Sequence, residues 1–268
     1  MIKYFLILSL AIVVWGCKKN NTSENTNTSS SKRLQSVSIR NLTTRTRLTD
    51  SFLFDNNNRM AECRTMTYDT FTNSGGFITG ISYHQNNFIF NYAGTDTLPS
   101  SYLMTFSYSS DSYQHLLTYN NTRQLVKDSD LNHVNNVYLS YPPNTIVTKG
   151  PIIAGYTQTR TDSIILQIGN IASRHYIFPA DPSSNSFDQI VYSGLQNPLY
   201  NFKGMGILLD VILDPDFDWI SRNLYTMLSN SRGKSISMNW STDNDGNAIA
   251  GSGFTSAGII IEVIFTYK

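Results

Sequence analysis

The 268-residue sequence predicts a mainly β fold: a large curved antiparallel sheet or incomplete barrel, built as a meander of hairpins, with one packed helix near 215–229. Three observations carry this expectation. Apolar and polar residues alternate with period two over most of the chain after residue 34. Turns rich in Asn, Asp, Ser and Gly punctuate those runs. One stretch shows helical spacing with capping signals instead.

The alternation is clear in several runs. Phe88, Phe90 and Tyr92 share one face, with Ile89 and Asn91 on the other. Tyr102, Met104, Phe106 and Tyr108 are opposed by Leu103, Thr105 and Ser107. Val137, Leu139 and Tyr141 continue the pattern until Pro142-Pro143 breaks it. Such alternation belongs to an antiparallel sheet with one wet face. Ile164 to Ile168 and Tyr176 to Phe178 read as further strands, and Pro179 to Ser186 as a loop. Asp188 to Met205 carries no firm assignment.

A short unit recurs. Phe54-Asp55-Asn56-Asn57-Asn58-Arg59-Met60 and Tyr119-Asn120-Asn121-Thr122-Arg123-Gln124-Leu125 share the spacing from aromatic to aliphatic, and Tyr92 to Leu98 has it too. Asn, Asp and Gly tolerate the positive φ of tight turns, so each unit reads as a hairpin. Arg123 stands where the turn prefers one of those residues.

The helix is expected to start at Asp214 as N-cap, with Pro215 in the first turn and Asp216 and Asp218 complementing the dipole. Phe217, Ile220, Leu224, Met227 and Leu228 would form its apolar stripe, and Gly233 follows it. The chain then returns to strands: Ile236, Met238 and Trp240 on one face, and finally Ile261, Val263, Phe265 and Tyr267.

The first residues read differently. Lys3 precedes an apolar run from Tyr4 to Trp15, too short to span a bilayer, which needs about 20 residues. The run ends at Val14-Trp15-Gly16-Cys17, which resembles the lipobox of bacterial lipoproteins, although Trp15 is bulkier than usual. That resemblance implies cleavage before Cys17 and diacylation of its thiol, enough for stable anchoring. Residues 18–32 are almost all Asn, Ser, Thr and Lys, a composition that cannot offset its ordering entropy. They read as a leash with ends about 20 Å apart. The expected organisation is therefore signal peptide 1–16, lipidated cysteine and leash 17–33, and one β domain over 34–268.

Without the signal, basic and acidic residues balance, which leaves no electrostatic footprint for nucleic acid. After Cys17 only Cys63 remains, so no intramolecular disulfide can form, and Cys63 reads as a small apolar filler.

The lipobox, the Ser/Asn leash, the aromatic strands, the turn units and the terminal hairpin with Asp245-Gly246 together resemble a family of Bacteroidetes lipoproteins of unknown function. The domain of that family is described as porin-like, and the turn units resemble tyrosine-aspartate repeats. The resemblance covers roughly Leu34 to Lys268 and implies a broad curved sheet or incomplete barrel. It carries over no catalytic residue. It does not imply a pore, because a lipid-embedded barrel turns apolar residues outward and needs no acyl anchor.

Candidate chemistry is sparse. Asp210, Asp214, Asp216 and Asp218 cluster in sequence, and Asp210 and Asp214 are the candidates for ligand or acid–base work, with helix capping as the simpler explanation. Asp243-Asn244-Asp245-Gly246 has part of a calcium loop, but Ser252 stands where a bidentate Glu is required. His84, His115, His133 and His175 are scattered. No nucleophile elbow or phosphate loop is present, and no cofactor is expected. The 16 tyrosines and 14 phenylalanines suffice to line a concave face as well as a core. The expected protein is a non-enzymatic outer-membrane lipoprotein whose partners are the membrane and a glycan, apolar or envelope-protein ligand. Lys18-Lys19 favour the periplasmic face over the cell surface. An envelope-polymer hydrolase and a tethered spacer are the alternatives.

Overall fold

The computed structural model describes residues 32–72, 78–132, 136–151, 159–202, 205–213 and 219–268. Sixteen strands follow one another: β1 (Leu34–Asn41), β2 (Thr46–Phe54), β3 (Met60–Thr72), β4 (Ile78–Asn91), β5 (Ser101–Phe106), β6 (Ser112–Tyr119), β7 (Leu125–Asp130) and β8 (Asn136–Ser140). The second half adds β9 (Thr145–Pro151), β10 (Thr159–Gln167), β11 (Asn170–Ile177), β12 (Ser186–Gln196), β13 (Asn223–Asn230), β14 (Ser235–Thr242), β15 (Ala248–Thr255) and β16 (Ile260–Tyr267). One α-helix, α1 (Gly206–Ile212), interrupts the series between β12 and β13.

Every strand pairs antiparallel with its neighbours in sequence, and β16 returns to β1, with Phe265 opposite Val37 and Val263 opposite Ile39. The backbones of Arg33 and Lys268 exchange two hydrogen bonds at the seam, at 3.0 and 2.9 Å. The barrel is closed, which corrects the expectation of an open sheet or incomplete barrel. Closure removes the unpaired edges that an open meander of this length would expose.

Side-chain parity follows the register around the whole barrel. Phe88, Phe90, Tyr102, Leu139, Met238, Val263 and Phe265 point inward and are buried. Their neighbours point outward, and that outer face is rich in hydroxyl and amide groups. Examples are Thr49 and Ser51 on β2, Thr161 and Ser163 on β10, and Ser235, Ser237 and Asn239 on β14. The outside is the wetter face, although exposed apolar residues such as Leu53, Ile89, Leu116, Tyr138, Ile165 and Phe254 are scattered across it.

A wall of 16 strands encloses more space than its own side chains can fill. The segment between β12 and β13 fills one end. Leu199, Met205, Leu208, Leu209, Leu213 and Trp219 from this plug are buried against Phe52, Phe88, Phe90 and Phe265 from the wall in one apolar cluster. The Phe202 ring lies 4.8 Å from Phe52, and Trp219 meets Phe52 edge-on at 5.9 Å. Each large side chain buried this way stabilises the fold by about 1.5–3 kcal/mol. Gly206 lets α1 approach the chain at Trp219, since a Cβ there would lie 2.6 Å from the Trp219 carbonyl oxygen.

The helix near 215–229 is not observed. Residues 223–230 are β13, bonded to β12 and β14 on its two sides. Leu224 and Leu228 are four apart, an even spacing that fits one face of a strand as well as one face of a helix. Two backbone ladders then favour the strand. The capping signals at Asp214 to Asp218 lie outside the described residues.

Candidate functional site

The barrel has unlike ends. One carries Arg33, Lys268 and the plug. At the other, the mouth, the inward residues Phe71 and His84 are exposed to solvent. Between plug and mouth the inward positions turn from apolar to polar, and the register assembles two clusters.

The first lies on β5, β6 and β7. Tyr102 stands beside His115, and Leu117 beside Asp128, in the register. The Tyr102 hydroxyl donates to Asp128 Oδ2 at 2.8 Å, and His115 Nδ1 lies 2.8 Å from Asp128 Oδ1. The two rings stack at 4.4 Å and 15°. Asp128 is buried, and its two carboxylate oxygens are met by the Tyr102 hydroxyl and the His115 ring. Burial, reinforced by Asp128, pushes the Tyr102 phenol far above its ordinary pKa, so it remains a donor.

The second lies on β10, β11 and β12 and reaches the plug. Arg160 donates to Asp162 Oδ2 at 2.7 Å, Tyr176 to Asp188 Oδ2 at 2.9 Å, and Arg174 to Asp210 Oδ1 at 2.7 Å. The Arg160 guanidinium also sits 5.3 Å over the Tyr176 ring. Burial raises the Asp162 and Asp188 carboxyls above their ordinary pKa despite the nearby arginines. Asp162 Oδ1 has no hydrogen-bond donor among the described residues.

At the mouth, next to this cluster, lies a cavity of about 370 Å³ lined by Phe178, Ser186, Asn230 and Lys234, with Thr159, Ala180, Asp181, Ser184 and Arg232. Ser186 pairs with Tyr176, and Asn230 with Asp188, so the cavity adjoins the second cluster through the register.

These positions answer the sequence candidates one by one. Asp210 is on α1 and pins the plug to the wall through Arg174, rather than facing a histidine across a cleft. Asp214 and Cys17 lie outside the described residues, as does His133. His175 faces outward and stacks on Phe187, and His84 meets Tyr108 at the mouth. Among the described residues no three His, Cys, Asp or Glu side chains gather into a metal-binding group. Asp243 caps the β14–β15 turn, accepting from the Asp245 and Asn247 backbones as a hairpin turn requires. Cys63 is fully buried beside Phe52 and Phe88 in the register, and burial raises its thiol pKa well above the ordinary value. Asp128, Arg160, Asp162 and Arg174 were missed, and His115 was counted only among scattered histidines. Their one sequence signal is a charged residue at an inward position, and inwardness becomes readable only once the register is known.

Fold and lumen together define a class: a closed antiparallel barrel with a polar exterior, an apolar plugged end and a polar open end. Among solved structures, a porin-like protein from Bacteroides vulgatus ATCC 8482 superposes with a TM-score of 0.53 at 9% identity, over 88% of this chain and 99% of its own. A porin-like protein from Bacteroides uniformis ATCC 8492 gives 0.41 at 8% identity, over 88% of this chain and 96% of its own. At such identity the likeness to the first is one of fold. No protein-family model matches the chain, and no curated protein sequence matches it.

Proposed function

We propose that this protein is an envelope lipoprotein, tethered by lipid on Cys17, whose barrel is a non-enzymatic module that binds glycan at its mouth. The observation that supports the ligand class most is the change along the lumen. The plugged end is apolar and filled, while the mouth holds an open cavity where one aromatic ring, Phe178, stands beside hydroxyl, amide and charged groups. Rings give sugars an apolar face to lie on, and fixed polar side chains read their hydroxyls. The cavity also favours a binding role over a plain spacer. The porin-like fold of the Bacteroides vulgatus protein fits an envelope setting.

The tether is tested by Cys17→Ser. The lipoprotein reading expects labelled fatty acid on the native chain and none on the variant, with the variant released from the membrane fraction. A Cys17→Ser protein that stays in membranes as the native one does would refute it. Lys18-Lys19 support the periplasmic face. Protease shaving of intact cells should therefore spare a C-terminal epitope, and loss of that epitope while a periplasmic control survives would place the domain outside. The ligand class is tested by titrating oligosaccharides into the full-length chain in detergent, where saturable binding is expected.

A second reading, hydrolysis of the bound glycan, draws on the Tyr102–Asp128–His115 arrangement, which holds a histidine ring against a buried carboxylate on the inner wall. It expects cleavage products that His115→Gln abolishes.

A further inference from the structure

We propose that the mouth cavity binds an acidic sugar, a hexuronate unit, with Lys234 and Arg232 reading its carboxylate; this rests on the glycan reading above. The argument is the direction of the unsatisfied hydrogen bonds. The one carboxylate lining the cavity, Asp181, is already engaged: Ser183 and Ser184 hydroxyls donate to it. What remains around it is donors. Asn230 uses Oδ1 to accept the backbone N–H groups of Arg232 and Lys234, which leaves its Nδ2 to donate inward. Arg232 gives one nitrogen to the Ser184 carbonyl at 2.6 Å and keeps its other N–H groups. The Lys234 ammonium, on the inward parity of Ile236 and Met238, forms no ion pair or hydrogen bond among the described residues. The Ser186 hydroxyl is likewise without a partner among them.

A neutral sugar can accept from these donors through its hydroxyl oxygens, but it leaves its own O–H groups short of acceptors and the Lys234 charge uncompensated. A carboxylate offers acceptors only and carries the compensating charge. Phe178 and Ala180 supply the apolar wall for the ring face. The volume, about 370 Å³, sits at the low end of small-molecule sites and suits one or two sugar rings.

The test is calorimetric titration of the full-length chain in detergent with galacturonate and with galactose, repeated on Lys234→Gln and Arg232→Gln. Neither the Lys234 ammonium nor its loss touches the barrel's own bonds, so unchanged melting of Lys234→Gln verifies its fold. The proposal expects galacturonate to bind about tenfold tighter than galactose, and Lys234→Gln to remove most of that difference. If both sugars bind alike, and Lys234→Gln changes neither, the acidic-sugar inference falls while the glycan reading stands. If galacturonate, galactose and their oligosaccharides all fail to bind, both fall together.

Discussion

At the residue scale, strain and charge burial sit in identifiable places. Asp55 and Asn120 open turns with one shared pattern. The first backbone N–H donates to the carbonyl four residues on, the fourth N–H donates back to the first carbonyl, and the fourth residue has positive φ. Asn230, Asp243 and Thr255 open three more of the same kind, with glycine in the fourth place. The unit at Tyr92 departs, since its positive φ falls on Gly94. Arg123 holds φ of 63° in a turn that elsewhere uses Gly or Asn. A non-glycine residue there costs about 1–2 kcal/mol, and its exposed pairing with Asp96 returns at most about 1 kcal/mol. Arg123→Gly should therefore raise the unfolding free energy by up to about 1 kcal/mol, and Gly246→Ala should lower it by a similar amount, both measurable by chemical unfolding. Asp162 makes a pH prediction. Its folded pKa is raised, so its contribution to stability is fully present below the ordinary carboxylate value and is lost as pH rises through the folded value. Asp162→Asn removes that loss. The variant should gain stability relative to the native chain as pH rises from about 3 to 8, and a difference that does not vary with pH would contradict the burial argument.

At the element scale, the plug carries the clearest energetic signature. Arg174 and Asp210 form an ion pair with both side chains nearly buried, bridging β11 and α1. Removing Asp210 takes a close buried partner from Arg174, which still faces Asp162 and Asp188, so Asp210→Ala should cost less than the roughly 3–5 kcal/mol of a fully broken buried pair, about 1–3 kcal/mol in chemical unfolding. Replacing both by apolar residues, as in Arg174→Met with Asp210→Leu, should recover most of it. The strand β15 is equally specific. A Cβ at Gly253 would lie 2.2 Å from the Ser237 carbonyl oxygen and 2.3 Å from the Met238 sulfur. Gly253→Ala should destabilise by about 1–3 kcal/mol in the same assay, since neither neighbour can yield freely. Elements also show where local reading ends. Runs such as Val137, Leu139 and Tyr141 or Ile261, Val263 and Phe265 were legible because their period is two and nothing else explains it. The 223–230 run was not, because Leu224 and Leu228 satisfy both periods. Helix α1 has no side-chain N-cap and seven residues, so it leaves no start signal.

At the scale of the whole molecule, the barrel carries more polar than apolar side chains outward and concentrates its apolar core at the plugged end. Its apolar side chains fill the lumen with the plug, and its outer face carries groups that water satisfies. A Cys17→Ser chain should then stay monodisperse without detergent, checked by size-exclusion chromatography with light scattering. Outward apolar residues do occur, and the largest exposed pair, Ile81 and Tyr83, lies on the β3–β4 hairpin beyond the rest of the rim. Ile81→Ser with Tyr83→Ser should leave the melting temperature close to native, because these side chains bury little area on folding.

The sequence by itself determined many of the strands, the residues that share a face within each and several turns, because period-two alternation and residues suited to positive φ act over a few positions; which of the two faces points inward came only with the register. Only the tertiary structure decided that the sheet closes, since the pairing of Leu34 with Tyr267 joins the two ends of the domain and no local pattern encodes it. It likewise decided that a short segment between β12 and β13 folds inward, a response to the volume that closure encloses. The polar clusters at Asp128 and Asp162, and the donor-lined cavity at Lys234, follow from that closure, because their members are brought together by strand register rather than by spacing in the chain.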